Sequence, residues 1–137
     1  MKAKETLNDI RKMGMEIDSL QEEIMLLRQE AEGLKAMELS DMPKGGRQRD
    51  ASDIIAHVAD LQQERFNLML ERIKKREQAL LVIARIDSSD YRTLLLQRYI
   101  LCKSWDDIVD LMHYSYSGVF KLHGAALKAF EQNSGVK

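Results

Sequence analysis

The sequence predicts an all-α protein: a long antiparallel helical hairpin of coiled-coil character, followed by a compact C-terminal helix-turn-helix domain. Three observations carry that expectation. Only one Pro and seven Gly occur among 137 residues, so long helices can run with few interruptions. Apolar residues recur at spacings of three and four through two long segments, which is the period of a helix face. No stretch alternates polar and apolar residues over the length of a strand.

The first helix is expected over residues 1–39. Ile10, Met13, Ile17, Leu20, Ile24, Leu27, Ala31 and Leu34 form a heptad-like seam of nearly four repeats. Glu16, Asp18, Glu22, Glu23, Arg28 and Glu30 occupy its other faces. Leu7, Met25 and Leu26 widen the stripe, which predicts packing on more than one neighbour. Gly14 and Gly33 weaken the helix without ending it. The seam residues from Ile10 to Leu34 are the candidate oligomerisation surface; periodicity does not decide whether they pair within one chain or between chains.

Residues 40–51 break the pattern and are expected to be a flexible linker. Pro43 disfavours helix at Met42, and Gly45-Gly46 follows closely. Ser52 or Asp53 can then cap a second long helix over residues 52–87. Ile55, Val58, Gln62, Phe66, Met69, Ile73, Leu80 and Ile83 supply its stripe, with Arg65, Lys74, Lys75 and Arg76 mainly off it. Two helices joined by a short connector form a hairpin with antiparallel seams. Such a hairpin has little core. Leu70, Leu81 and Val82 lie off the stripe and predict further burial on the C-terminal domain or a second subunit.

The C-terminal domain, residues 88–137, opens with Asp87-Ser-Ser-Asp90, which can end one helix and cap the next. Ser104 to Phe130 then reads as two short helices with a tight turn. Ser104 is an N-cap, and Asp107 three residues on completes a Ser-x-x-acid box; Asp106 and Asp107 favour the positive end of the helix dipole. Ile108, Leu111 and Met112 form its apolar face, and His113-Tyr114 ends it. Ser115 caps the last helix, whose buried stripe is Val119, Leu122, Ala126, Leu127 and Phe130. The opposite face carries Tyr116, Ser117, Phe120, Lys121, Gly124 and Lys128. That is the layout of a helix-turn-helix, in which the early residues of the second helix meet base edges in the major groove.

On these residues the chain resembles region four of sigma-70-type sigma factors. The pattern falls on Ser104, Trp105, Asp106, Asp107, Ile108, Val109, Met112, His113, Tyr114, Ser115, Val119, Leu122, Ala126, Leu127 and Phe130. Arg98-Tyr99 upstream matches the family's Arg-aromatic pair. It is similar also to small phage and prophage proteins with such a C-terminus, including late-gene transcriptional activators of Gram-positive phages, which share Leu122-His123. The resemblance implies a sequence-specific DNA-binding transcriptional regulator, cytoplasmic in a bacterial host cell. Its partners would be promoter DNA and RNA polymerase, and it would work as a dimer or larger homo-oligomer.

Residue chemistry indicates where double-stranded DNA would bind. Ser117 and Lys121 can hydrogen-bond bases or phosphates, while Tyr116 and Phe120 can pack on thymine methyls or sugars. Backbone N–H groups at the helix starts capped by Ser104 and Ser115 suit phosphates, as do Arg98, Lys103 and Lys128. The charge runs the other way. From Ser88 to Lys137 six basic residues face five acidic ones, so the counterion-release part of DNA affinity is small. His113 stands where the family pattern has Gly. These departures favour dimerisation or a polymerase partner. They also keep open an interaction protein that contacts polymerase without DNA. A small-terminase-like packaging component is a further alternative, although its DNA-binding module ordinarily comes first in the chain.

The remaining chemistry points to no cofactor and no enzyme. Cys102 has no second Cys to pair with, and the three His are too scattered for a zinc site. No Gly-rich phosphate loop or nucleophile motif occurs. Met1 leads straight into charged sequence rather than a secretory signal, and no apolar run approaches the ~20 residues of a membrane span.

Overall fold

The structure, a computed structural model, describes residues 2–39 and 46–135. It is all-α: α1 (Lys2–Leu39), α2 (Gly46–Ala84), α3 (Ser89–Leu95) running into a π-helical turn (Leu96–Ile100), α4 (Trp105–Met112) and α5 (Tyr116–Asn133), with no strand among the described residues. The second long helix therefore begins at Gly46, six residues before the expected cap at Ser52. Of the expected linker, residues 40–45 lie outside the described residues and 46–51 are helical.

The chain divides into two compact units, residues 17–71 and residues 1–16 with 72–137. The first is the distal part of the hairpin. Ile17, Leu20 and Ala31 of α1 are buried, as are Val58 and Met69 of α2. Arg65 Nε meets Glu23 Oε2 at 2.9 Å across the pair. The α1 seam is thus used inside the chain, with Ile24, Leu27 and Leu34 half-buried. On α2 the inward face differs from expectation. Phe66 is 43% exposed and Leu70 is exposed, whereas Arg65 lies on the seam's edge, where its long apolar stem covers the core and its head reaches Glu23. Met25 and Leu26, expected to widen the α1 stripe, are both exposed.

The second unit joins the base of the hairpin to the three C-terminal helices through one core. Ala3, Leu7 and Ile10 of α1 and Ala79 and Ile83 of α2 share it with Ile86, Leu94, Leu95, Tyr99, Ile108, Val119, Ala126, Leu127 and Phe130. Met13 and Val82 pack at its edge. The sequence-level boundary at residue 88 therefore does not separate two cores. Arg72 Nε bonds Glu16 Oε2 at 3.0 Å. Within each unit the ion pair joins facing residues of two antiparallel helices. Gly14 is buried in this base: a Cβ there would lie 3.4 Å from Cys102 Sγ. The space beside it would take a Cβ in ordinary contact with Cys102 Sγ and Ile100 O (3.9 Å) but no longer side chain.

Capping explains the C-terminal helix ends. Ser88 Oγ accepts from Tyr91 N (3.3 Å), Ser104 Oγ from Asp107 N (3.1 Å) and Ser115 Oγ from Gly118 N (3.1 Å), each satisfying an otherwise orphaned helical N–H. After Tyr99 the helix closes with i→i+5 bonds, Leu101 N to Leu96 O at 2.9 Å among them, and Cys102 takes φ +58° to release the chain toward α4.

Candidate nucleic-acid interface

The turn between α4 and α5 is made by His113, which sits in the left-handed region (φ 60°, ψ 33°) while its N–H bonds Val109 O at 3.0 Å. An L side chain is strained there, and Gly is the residue that would relieve the strain. The turn brings the start of α5 back beside the start of α4. Tyr116 Oη donates to Asp106 Oδ1, and Tyr114 Oη donates to Asp90 Oδ2 at 2.8 Å. Each bond holds its phenol protonated and raises its pKa, with the carboxylate's charge adding to the effect.

On α5 the buried residues are Val119, His123, Ala126, Leu127 and Phe130. Tyr116, Ser117, Phe120, Lys121 and Lys128 are all exposed. Lys121 and Lys128, seven residues apart, share a helix face. Ser117 Oγ lies 3.3 Å from Ser115 Oγ, so the cap and the proposed groove residue are in contact. Gly118 leaves room for that cap, because a Cβ there would come within 3.2 Å of Ser115 Oγ.

Behind this face is an aromatic stack built on Trp105, the first residue of α4. Its ring meets Phe120 edge-on (centroids 5.3 Å) and His123 edge-on (4.8 Å), and the Arg98 guanidinium lies 4.5 Å from its centroid. Arg98 also donates to Lys103 O at 3.1 Å. Trp105 thereby couples Phe120 of α5, Arg98 of the π-helical turn and the start of α4. His123 is 8% exposed and lies 2.6 Å from Tyr99 Oη. Burial, with Lys4 and Arg98 nearby, lowers its pKa to about 4, so the ring is neutral at pH 7. Burial likewise raises the pKa of Tyr99 and, with the neighbouring Arg11, lowers that of Arg98.

Of the sequence-predicted residues, Ser104 and Ser115 are caps, and Ser117, Phe120, Lys121, Lys128 and Lys103 are exposed as expected. Tyr116 and Arg98 are exposed or half-exposed but already engaged. Leu111, assigned to the apolar face of α4, is instead 51% exposed; Ile108 and Met112 turn inward without it. Tyr114 is legible in the sequence only as the end of α4, not for its bond to Asp90, and Arg11, a polar position on a long helix, carries no local signal. The acids Asp106, Asp107 and Asp110 on α4 are all exposed. The surface therefore combines an exposed helix face with mixed charge, and the side chains it presents are hydrogen-bonding groups and aromatic rings.

Comparison with curated proteins and with solved structures finds no match. A family model does match residues 35–131, more than half of the chain, and the chain therefore belongs to the family described as protein of unknown function (DUF1492).

Proposed function

We propose that the chain is a sequence-specific DNA-binding transcriptional regulator of phage or prophage type, acting in the bacterial cytoplasm as a homo-oligomer and reading promoter DNA with α5. The observation that carries this reading is the capped α4–turn–α5 arrangement, which leaves Tyr116, Ser117, Phe120, Lys121 and Lys128 exposed on one helix while the opposite stripe is buried. Ser117 and Lys121 would supply hydrogen bonds to base edges, Phe120 an apolar contact, and Ser104, Ser115, Lys103 and Arg98 the contacts to backbone phosphates. Because Ile17, Leu20 and Ala31 are consumed within the hairpin, a second subunit would meet other residues of the distal unit, such as Leu26, Phe66 and Leu70. Selection of bound duplexes from a random pool tests the reading. A recurrent motif, protected from cleavage by the protein, is expected; folded protein that enriches no duplex at low salt refutes it.

One observation favours a second reading, contact with a protein such as RNA polymerase. Leu111 and Tyr114 are exposed at the α4 end, beside a domain of near-balanced charge. Retention of polymerase by a DNA-free column carrying the protein would support it.

A further inference from the structure

The two tyrosines on either side of the Ser115 cap have both spent the only proton their hydroxyls carry. Tyr114 Oη donates to Asp90 Oδ2 at 2.8 Å, and Tyr116 Oη donates to Asp106 Oδ1. A phenol hydroxyl has one O–H to give, and beyond that only lone pairs that accept. Both rings and both carboxylates are exposed, so the two pairs lie on the surface at the entrance to α5. Asp110, one turn along α4 from Asp106, adds to the negative field at the Tyr116 hydroxyl.

Few groups on DNA suit such a pair. A phosphate has no proton to offer and is repelled by the carboxylates. Guanine O6 and N7 and thymine O4 are acceptors as well. The hydroxyl would meet them only by leaving Asp106, which breaks a charge-assisted bond about twice as strong as a neutral one and strands the carboxylate against the duplex. The donors of the major groove are the amino groups at adenine N6 and cytosine N4. We propose that Tyr116, held by Asp106, is a specificity-determining residue that accepts a hydrogen bond from the exocyclic amino group of an adenine or cytosine. Asp106 is a positioning residue, fixing where the hydroxyl's proton points. This rests on the DNA-binding reading above and adds to it the class of base met at the start of α5. The ammonium of Lys121, a donor only, suits the guanine and thymine acceptors instead.

The test uses the full chain and a duplex that it selects. Each adenine is replaced in turn by purine and each cytosine by 2-pyrimidinone, which removes the amino group alone. Every base pair carries one such group in the major groove, so the scan covers the site. Affinity is measured for wild type, Tyr116→Phe and Asp106→Ala, with circular dichroism recorded for each. At one position the deletion should weaken wild type at least about fivefold more than Tyr116→Phe, the low end of the cost of one mismatched pair. The comparison with Tyr116→Phe cancels the Watson–Crick bond lost with the amino group. At that position Asp106→Ala, whose freed hydroxyl can donate, should bind a duplex carrying guanine or thymine about as well as the original. Deletions that weaken wild type and Tyr116→Phe equally at every position overturn the proposal and leave the DNA-binding reading standing. A folded Asp106→Ala that discriminates as wild type does also overturns it. If Asp106→Ala does not fold, Tyr116→Phe decides alone. A wild type that selects no duplex overturns both readings.

Discussion

Burying His123 as a neutral ring makes the stability of the C-terminal core depend on pH in a window that carboxylates do not share. The ring is 8% exposed, its partner is Tyr99 Oη, and the nearby charges, Lys4 on α1 and Arg98 on the π-helical turn, are both positive. The folded pKa of about 4 lies below the ordinary value of 6.5. The unfolded chain therefore binds a proton between those values while the folded chain does not. Stability is fully present above pH 6.5, falls as pH falls, and its loss is complete by about pH 4. The gap corresponds to about 3 kcal/mol, reduced to about 2 kcal/mol by solvent screening at the edge of the ring. For a chain of this size about 2 kcal/mol moves the unfolding midpoint by about 7 °C. The readout is fluorescence of Trp105, the chain's one tryptophan, whose ring centroid is 4.8 Å from that of His123. The comparison is with His123→Gln, which can still bond Tyr99 but does not titrate. Between pH 7 and pH 4.5 the wild type should lose several degrees more than the variant. Equal losses would mean that His123 is solvated or already protonated in the fold, and the reasoning would fail.

Other substitutions read other parts of the structure. His113→Gly should raise the unfolding midpoint by a few degrees, because relief of the left-handed strain outweighs the entropy of Gly, a net gain of about 0.5–1 kcal/mol measurable by thermal melting. Gly14→Ala should be tolerated or stabilising by up to about 1 kcal/mol in the same assay, since its Cβ would meet Cys102 Sγ at 3.4 Å, whereas Gly14→Leu should unseat the Ile100–Cys102 loop and lower the midpoint. Ile17→Asp with Leu20→Asp puts two unpaired carboxylates in the distal seam and should melt the residue 17–71 unit, seen as loss of helical circular dichroism. Arg65→Ala should cost little, at most about 1 kcal/mol, because its pair with Glu23 is partly exposed to water.

Much of this fold was legible in the chain because helix faces announce themselves at short range. The Ser104 and Ser115 caps, the buried stripe of α5 and the antiparallel hairpin follow from local pattern and turn chemistry. What the pattern did not separate was two apolar faces on one helix. Phe66 and Met69, three residues apart, satisfied one three-four stripe, yet only Met69 is buried, since the inward face instead carries Arg65 and Arg72 as seam-edge residues with their heads on Glu23 and Glu16. Leu111 failed for a similar reason: in a helix of eight residues one partner decides which apolar side chain turns inward. The start of α2 at Gly46 shows that a cap residue permits a helix start without compelling one. At the site, the exposed face of α5 was readable, but its engagements were not. Tyr116 with Asp106, Arg98 over Trp105 and the approach of the Arg11 backbone to Cys102 are contacts between residues 7 to 91 positions apart that cross from one element to another, and no local period encodes them.

The role proposed for α5 is tested most directly by titrating duplexes carrying a selected motif, and a scrambled control, with wild type and with Ser117→Ala/Lys121→Ala. Sedimentation mass and circular dichroism should be recorded on the same samples. Wild type should bind the motif saturably and more tightly than the control, as a dimer or larger, and the folded double variant should lose most of that preference. A folded double variant with unchanged preference would remove α5 from the groove. A wild type that distinguishes no duplex at low salt would contradict DNA reading altogether.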